Sequence, residues 1–182
     1  MNKLEVFPTI FYETNIGVEL ANDIVHEIKE NEDKIKNTSE ATQPHPVTDY
    51  ATDFCNPVSI NLFHNYVLPH LRNEFDAMGY DMQFLQSWVS CYTGPHGSHP
   101  MHIHARGYNG QLKFSGILFL SNVGHTDFFS VNMMADEYQY SVPSEQGKIV
   151  IFPSIVPHQY RAESYDGNHR YTLPFNIDLI AK

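Results

Sequence analysis

The sequence is poor in cysteine and in basic residues, and both shortages narrow the classes of protein that it can encode. Its 182 residues include two cysteines, Cys55 and Cys91, which are too few for a disulfide framework or a thiolate metal site. Lysine and arginine number 11 against 21 acidic residues, for a formal net charge of -10. Because no basic face is evident, we expect no nucleic-acid partner.

Long apolar runs are absent as well. The first 15 residues contain no run long enough for a signal peptide, and no stretch reaches the roughly 20 residues that span a membrane. With two reduced thiols, these features predict a cytoplasmic protein that binds no membrane. A chain of 182 residues, 42% apolar and 13% aromatic, can fill one core but not two, which predicts a single domain over residues 1–182.

The first 80 residues are predicted to be mainly helical support. Apolar residues at even positions around Pro8 indicate a short extended segment, and helical spacing over residues 17–35 predicts a surface helix. A second helix is predicted to begin at Asn56 and to run toward Gly79. Pro69 is expected to kink or split it.

From residue 81 the chain consists of short β-like runs separated by turn residues. Such runs after two helices predict an α+β protein whose sheets form a sandwich or barrel. A jelly roll fits, because its two facing sheets leave a mouth where ligands from distant strands converge. The polar, proline-containing loop 37–57 and the segment 132–144 are expected to shape the pocket, the former as a lid or substrate-facing loop.

Four of the eleven histidines fall within nine residues, from His96 to His104. On a strand, His102 and His104 point to the same face about 6.5 Å apart along the chain, a spacing that lets both rings bind one metal ion. The best third ligand is His158, which follows a short apolar run. His96 and His99 lie among glycine and proline, so we predict that they belong to a loop at the rim or support the ligands.

Two other charged residues have alternative interpretations. Asp127 could supply a carboxylate ligand, although an exposed position at the start of an edge strand is the favoured reading. Arg170 could be a surface cation paired with Asp166 or Glu163. Alternatively, it could grip a carboxylate inside the barrel through two parallel hydrogen bonds.

The remaining histidines and the aromatic residues on apolar runs are given structural roles. We expect isolated histidines to be surface or hydrogen-bonded groups, and the aromatic side chains to pack in the core without a catalytic role. The residues are His26, His45, His64, His70, His125, Trp88, Phe114, Phe119 and Phe152.

Half of the chain, residues 84–179, resembles the 2-oxoglutarate and Fe(II)-dependent oxygenases, specifically the small prolyl-4-hydroxylase-like branch of phage and bacteria. The family's first strand carries His-x-Asp or His-x-Glu, whereas this chain has His104 at the second position. The matching residues are Tyr92 and Gly94, His102 and His104, the strands Ser115–Leu120 and Gly147–Ser154, His158, Arg170, and Phe175 with Asn176.

This resemblance implies a double-stranded β-helix, the cupin-like jelly roll, with N-terminal supporting helices. It implies Fe(II), 2-oxoglutarate and O₂ as cofactors, and hydroxylation of a protein side chain or small metabolite with formation of succinate and CO₂. The implied metal ligands are His102, His104 and His158. Arg170 and the Tyr92 hydroxyl are implied to bind the distal carboxylate of 2-oxoglutarate, and Phe119 stands where relatives often have tyrosine.

Two other functions remain open at this point. A neutral site of three imidazoles also suits zinc, so a cupin-type metalloenzyme that does not use 2-oxoglutarate is the nearest alternative. The other is a jelly-roll binding module without enzymatic activity, such as a virion component.

Overall fold

Two antiparallel sheets pack against each other, and helices cover the outer face of the larger sheet. The architecture comes from a computed structural model. It describes residues 1–6, 9–38, 50–51, 56–92, 99–104, 112–130, 139–161 and 169–182.

Helices are confined to the first 80 residues, whereas strands occur throughout the described chain. Helical elements are α1 (Val18–Glu30), α2 (Glu32–Thr38), α3 (Pro57–Leu62), a π-helical stretch (Phe63–Val67) and α4 (Leu68–Ala77). Strands are β1 (Asn2–Val6), β2 (Thr9–Asn15), β3 (Tyr50–Ala51), β4 (Tyr80–Ser87), β5 (Ser90–Tyr92), β6 (His99–His102), β7 (Leu112–Phe119), β8 (His125–Phe129), β9 (Gln139–Pro143), β10 (Lys148–Pro153), β11 (His158–Arg161) and β12 (Arg170–Ala181).

The strand order shows how distant parts of the chain meet. The larger sheet has the order β1-β2-β10-β7-β12-β5-β3, with β4 also paired to β12, and the smaller sheet has the order β6-β11-β8-β9. Every recorded strand pair is antiparallel. Because sequence-distant strands become neighbours in both sheets, the arrangement is the predicted jelly roll.

The central strands of the larger sheet are buried on both faces. On β7, Leu118 packs with the helices, whereas Ile117 and Phe119 lie in the layer between the sheets. On β10, Ile151 packs with the helices, and Phe152 lies in the layer between the sheets. Since successive side chains alternate between two buried faces, these strands are continuous apolar runs without a period of two.

The helix from residue 57 to residue 77 follows the predicted signals. The Asn56 side chain accepts hydrogen bonds from the backbone N–H groups of Val58 and Ser59 and so caps the helix. The prediction for Pro69 is also confirmed, because the helix widens into a π-helical stretch just before α4. Proline provides no N–H and its ring crowds the preceding turn, which favours such a local change.

The N-terminal third differs from the prediction in two ways. The expected single extended segment is a hairpin of β1 and β2, and β2 pairs with β10 inside the larger sheet. The expected helix over residues 17–35 is divided at Asn31 into α1 and α2. Residues 1–80 therefore contribute strands to the jelly roll as well as helices that cover it.

Most of the predicted pocket-forming loop, residues 39–49 and 52–55, lies outside the described residues, as do residues 131–138. The described end of the second segment forms β9, an edge strand of the smaller sheet. No helix in the described ranges is long and apolar enough to cross a membrane.

Candidate metal centre

Strand pairing in the smaller sheet brings two of the predicted ligands together. In the antiparallel pair of β6 and β11, His102 lies directly opposite His158. Opposed residues in such a pair project to the same face, so both rings point between the sheets. Their ring centroids are 4.2 Å apart. His158 is buried, whereas His102 is partly exposed.

The third histidine follows β6 directly. The backbone N–H of His104 donates to the carbonyl of Ser154 at 2.9 Å, which holds the chain past the end of the strand. Its ring lies 4.9 Å from that of His102 and 5.0 Å from that of His158. One potential ligand atom from each of the three side chains lies within 4.8 Å of the others. The predicted histidines are thus gathered at one point.

Hydrogen bonds at Nδ1 orient all three rings. Nδ1 of His102 lies 2.9 Å from the Pro100 carbonyl oxygen, and Nδ1 of His158 lies 3.0 Å from the Val156 carbonyl oxygen. A carbonyl oxygen can only accept, so both Nδ1 atoms carry the proton. The lone pair of each neutral ring is therefore on Nε2, the arrangement in which a metal-binding histidine donates its other N–H to a fixed acceptor.

His104 is oriented by a polar network that reaches across to the larger sheet. Its Nδ1 lies 3.0 Å from Ser115 Oγ and 3.2 Å from Asn176 Oδ1. The Ser115 hydroxyl donates to Asn176 Oδ1 at 2.6 Å and lies 2.9 Å from Ser154 Oγ. Since the Ser115 proton points to Asn176, Ser154 donates to Ser115 and Nδ1 of His104 carries its own proton. This network fixes His104 with the same tautomer as the other two histidines.

Nε2 of His102 lies 2.9 Å from Nε2 of His104. Two lone pairs at this distance repel unless a cation lies between them or a proton is added. Two nitrogens bound to one ion at about 2.1 Å lie roughly 3.0–3.4 Å apart, depending on the coordination geometry, so this pair is close enough to share one ion.

Arg170 is buried at the far side of the same cavity. Its side chain is 3% exposed, and burial lowers the pKa of the guanidinium from its ordinary value. It donates from Nη2 to Thr126 Oγ1 at 3.1 Å and, more weakly, from Nε to Ser144 Oγ at 3.4 Å. Among the residues that the structure describes, no carboxylate pairs with it. Its burial rules out the interpretation as a surface cation; Asp166 and Glu163 lie outside the described residues.

A cavity connects the histidines with Arg170. Its empty space, including the open mouth, is about 440 Å³, and its walls include His102, His104, His158 and Arg170. Tyr92 lies directly opposite Arg170 in the pairing of β5 with β12 and also lines the cavity. Burial raises the pKa of the Tyr92 hydroxyl to about 12, so the group stays protonated and can donate a hydrogen bond.

Trp88, the chain's single tryptophan, lines the cavity near the three clustered histidines, and its ring lies 5.5 Å from that of His104. It is therefore partly in the cavity wall rather than in the core as predicted. Phe119 is fully buried, as expected, and its ring lies 5.7 Å from Arg170 Cζ. Phe114 and Phe152 are buried in the two core clusters.

Asp127 is neither exposed nor part of the histidine cluster, so both parts of its prediction need correction. It is 2% exposed on β8, which lies inside the smaller sheet. Ser141 donates to its carboxylate at 2.5 Å, and His125 Nε2 lies 3.4 Å away. The carboxylate is opposite Gln159, one position away from His158, and so belongs to the other face of β11.

The other histidine predictions have mixed outcomes. His99 begins β6 rather than lying in a loop, and His96 and His45 lie outside the described residues. His26 lies near Glu30 on the surface, and His70 bonds to Thr14, as expected for structural histidines. His64 packs against Phe84.

Several residues that line the cavity or hydrogen-bond to its histidines and arginine had no recognised signal in the sequence. Ser115, Ser154 and Asn176 fell within the family pattern without a stated role, while Thr126, Ser144 and Tyr160 were not singled out. Short hydroxyl side chains within apolar runs were the available signal for Ser115, because a buried hydroxyl needs a partner.

Solved structures with the same fold include a prolyl hydroxylase and 2-oxoglutarate-binding proteins. One is a prolyl-4-hydroxylase from Pseudomonas putida, 15% identical with a TM-score of 0.57 over 94% of this chain and 92% of that one. HygX from Streptomyces hygroscopicus, solved with nickel and 2-oxoglutarate, is 11% identical with a TM-score of 0.61 over 93% and 83%. SnoK, a non-heme α-ketoglutarate-dependent carbocyclase from nogalamycin biosynthesis, is 12% identical with a TM-score of 0.68 over 94% and 81%.

Neither a protein-family model nor a curated protein matches the sequence. The structural likeness confirms the predicted fold, the double-stranded β-helix of the 2-oxoglutarate oxygenases.

Proposed function

We propose that this protein is an Fe(II)- and 2-oxoglutarate-dependent dioxygenase that hydroxylates its substrate. The observation that carries the proposal is the pairing of three converging histidines with a buried arginine across one cavity. The histidines offer three nitrogen atoms close enough together to bind one metal ion, and the arginine has donors for a carboxylate. A dicarboxylic 2-oxo acid carries a 2-oxo acid group that can bind the metal ion and a second carboxylate that can bind the arginine.

In this assignment His102, His104 and His158 hold Fe(II) through Nε2. Bound iron supplies the oxidative chemistry that the side chains lack, with 2-oxoglutarate and O₂ as cosubstrates. Arg170 binds the distal carboxylate of 2-oxoglutarate, and Tyr92 adds a hydrogen bond from its protonated hydroxyl. The sheets on either side exclude water from the cosubstrate.

For the substrate we propose a small molecule or a peptide side chain. The Pseudomonas putida neighbour is named as a prolyl-4-hydroxylase, whereas SnoK is named as a carbocyclase of a biosynthetic route. Both kinds of substrate are therefore compatible with this fold. We also propose that residues 1–182 form one domain and that the protein acts in the cytoplasm without binding nucleic acid or membrane.

A zinc enzyme of the cupin type is the second candidate, because three histidines without a carboxylate are a donor set that zinc accepts. Arg170 favours the oxygenase, since a zinc-bound water needs no buried guanidinium opposite it.

The decisive experiment is absorption spectroscopy of the protein with Fe(II) and 2-oxoglutarate under anaerobic conditions. Chelation of iron by the 2-oxo acid produces a metal-to-ligand charge-transfer band, which we expect for the unsubstituted protein and not for His158→Ala. A band that survives in His104→Ala would mean that His104 is not an essential ligand. Absence of the band in unsubstituted protein that has bound Fe(II) would contradict the proposal and favour the zinc enzyme or a binding module.

A further inference from the structure

Tyr160 covers one face of the Arg170 guanidinium. Arg170 Cζ lies 3.9 Å from the centroid of the Tyr160 ring, closer than to the rings of Tyr92 at 5.4 Å or Phe119 at 5.7 Å. Tyr160 is 5% exposed and lies two residues after His158 on β11. One short strand therefore presents a metal-site histidine and the aromatic cover of the arginine to the same cavity.

The edges of the guanidinium are held by different groups. Ser144 Oγ accepts from Nε, and Thr126 Oγ1 accepts from Nη2. A guanidinium has five N–H donors in one plane, so these two contacts leave further donors in the same plane for a ligand. Hydroxyls at the edge limit rotation within the plane, whereas an aromatic ring against the face limits tilting of the plane.

Gly124 provides the space in which Tyr160 fits. Its φ of 72° lies in the left-handed region, and a Cβ added there would lie 2.7 Å from Tyr160 Cε2 and 3.1 Å from its hydroxyl oxygen. The edge of the ring that carries Cε2 and the hydroxyl therefore lies against the Gly124 turn. The carbonyl of Gly124 also accepts a hydrogen bond from the Ser144 backbone N–H at 2.9 Å.

The same turn therefore connects Tyr160 with the two hydroxyl groups at the edge of the guanidinium. Gly124 immediately precedes β8, which carries Thr126, and it is hydrogen-bonded to Ser144 while contacting Tyr160. A side chain at position 124 would collide with the Tyr160 ring and displace it from its present position.

We propose that Tyr160, seated against Gly124, is a positioning residue that sets the plane of Arg170 and thereby the preference of the site for a 2-oxo acid with a second carboxylate. The inference rests on the proposed function, because it assumes that Arg170 binds that carboxylate. Tyr160 acts through its aromatic face and not through a hydrogen bond to the ligand.

The test compares two ligands that differ at the far end. 2-Oxoglutarate and pyruvate share the 2-oxo acid group, but pyruvate has no second carboxylate for Arg170. Calorimetry on the nickel-loaded protein measures both affinities and their ratio. Loss of a buried cation–aromatic contact predicts that Tyr160→Leu weakens 2-oxoglutarate binding about tenfold to thirtyfold, with pyruvate changed less than about threefold.

Three further variants isolate the cause. Tyr160→Phe keeps the aromatic face and is expected to restore most of the ratio. Gly124→Ala is expected to lower the ratio by displacing the ring, and it tests the proposal even if Tyr160→Leu does not fold. Tyr140→Leu is the matched control, because Tyr140 lies in the same sheet as Tyr160, packs against Phe11 of the larger sheet and does not line the cavity.

The outcomes separate this inference from the proposed function. An unchanged ratio in Tyr160→Leu and Gly124→Ala, with 2-oxoglutarate still preferred, would overturn the role of Tyr160 alone. An equal loss of both ligands would also overturn it, because the effect would then be general. If the unsubstituted protein shows no preference for 2-oxoglutarate over pyruvate, the assignment of Arg170 in the proposed function fails instead.

Discussion

The two ends of the cavity hold their functional groups by different means. At the histidine end, each ring is oriented by a directional hydrogen bond at Nδ1, to a backbone carbonyl or to the network of Ser115 and Asn176. At the arginine end, an aromatic face and two hydroxyls surround a side chain that is almost fully buried. Metal affinity should therefore depend on polar partners, and the contribution of Arg170 to cosubstrate affinity should depend on packing, so that the arginine end can be changed without loss of the metal.

The largest effect is expected for His158→Ala, which removes a proposed metal ligand from the histidine end. Loss of a partner behind a metal ligand already costs about tenfold to a hundredfold in affinity, so loss of the ligand itself should cost at least about a hundredfold. We expect a loss of metal affinity of the same size for His102→Ala. Elemental analysis after dialysis measures the bound metal, and quenching of Trp88 fluorescence by nickel provides an independent signal. Full metal occupancy in either variant would refute the ligand assignment.

Arg170→Ala tests the other end of the cavity. A carboxylate left without its buried partner should lose about 2–4 kcal/mol of binding free energy, which corresponds to roughly thirtyfold to nearly a thousandfold in 2-oxoglutarate affinity. Metal binding should be unchanged. Arg170→Lys keeps the charge without the planar fork, and we expect it to recover only part of the affinity. Unchanged affinity in calorimetry would make Arg170 a structural residue.

Asn176→Ala should weaken metal binding without removing a ligand. Asn176 Oδ1 accepts from both His104 Nδ1 and Ser115, so its loss frees the ring to reorient. Metal affinity is expected to fall by about tenfold to a hundredfold, as for other partners of metal-binding histidines. Competition with a metal-sensitive dye measures the change. Thr126→Val, at the arginine end, is the control that should leave metal affinity intact.

The smallest change is expected for His104→Asp, which converts the histidine set into two histidines and one carboxylate. If His104 is a ligand, the variant should retain iron with affinity within about tenfold and keep or raise succinate formation from 2-oxoglutarate. Iron titration and succinate assay measure these quantities. Loss of iron binding would show that position 104 cannot place a carboxylate at the metal.

The parts of the fold that could be predicted from the sequence depend on local signals. The cap at Asn56, the split near Pro69 and the strands after residue 81 each follow from a few adjacent residues. The same holds for the histidine pair, since His102 and His104 are two residues apart. The division of the first helix at Asn31 was missed, because the apolar spacing continues through that position.

The network behind His104 could not be predicted, because its members are far apart in the sequence. Ser115 is 39 residues from Ser154 and 61 residues from Asn176, and no local period connects them. The contact between Tyr160 and Gly124 could not be predicted either, since it arises only when the turn before β8 is placed beside β11. Asp127 was misjudged because β8 lies inside the smaller sheet, which a single strand pattern does not reveal.

The pairing of β6 with β11 has a consequence for local unfolding. β6 is a four-residue strand at the edge of its sheet, and its register with β11 is interrupted between His158 and Tyr160. Such a short, irregular edge opens at low free energy, so its amide hydrogens should exchange early with solvent. An ion bound by His102 and His158 links the two strands directly across the ladder, and its binding free energy opposes that opening. We therefore expect added metal to slow amide exchange in β6 more than in β9, the opposite edge strand. That result would show that the ion stabilises the pairing of β6 with β11.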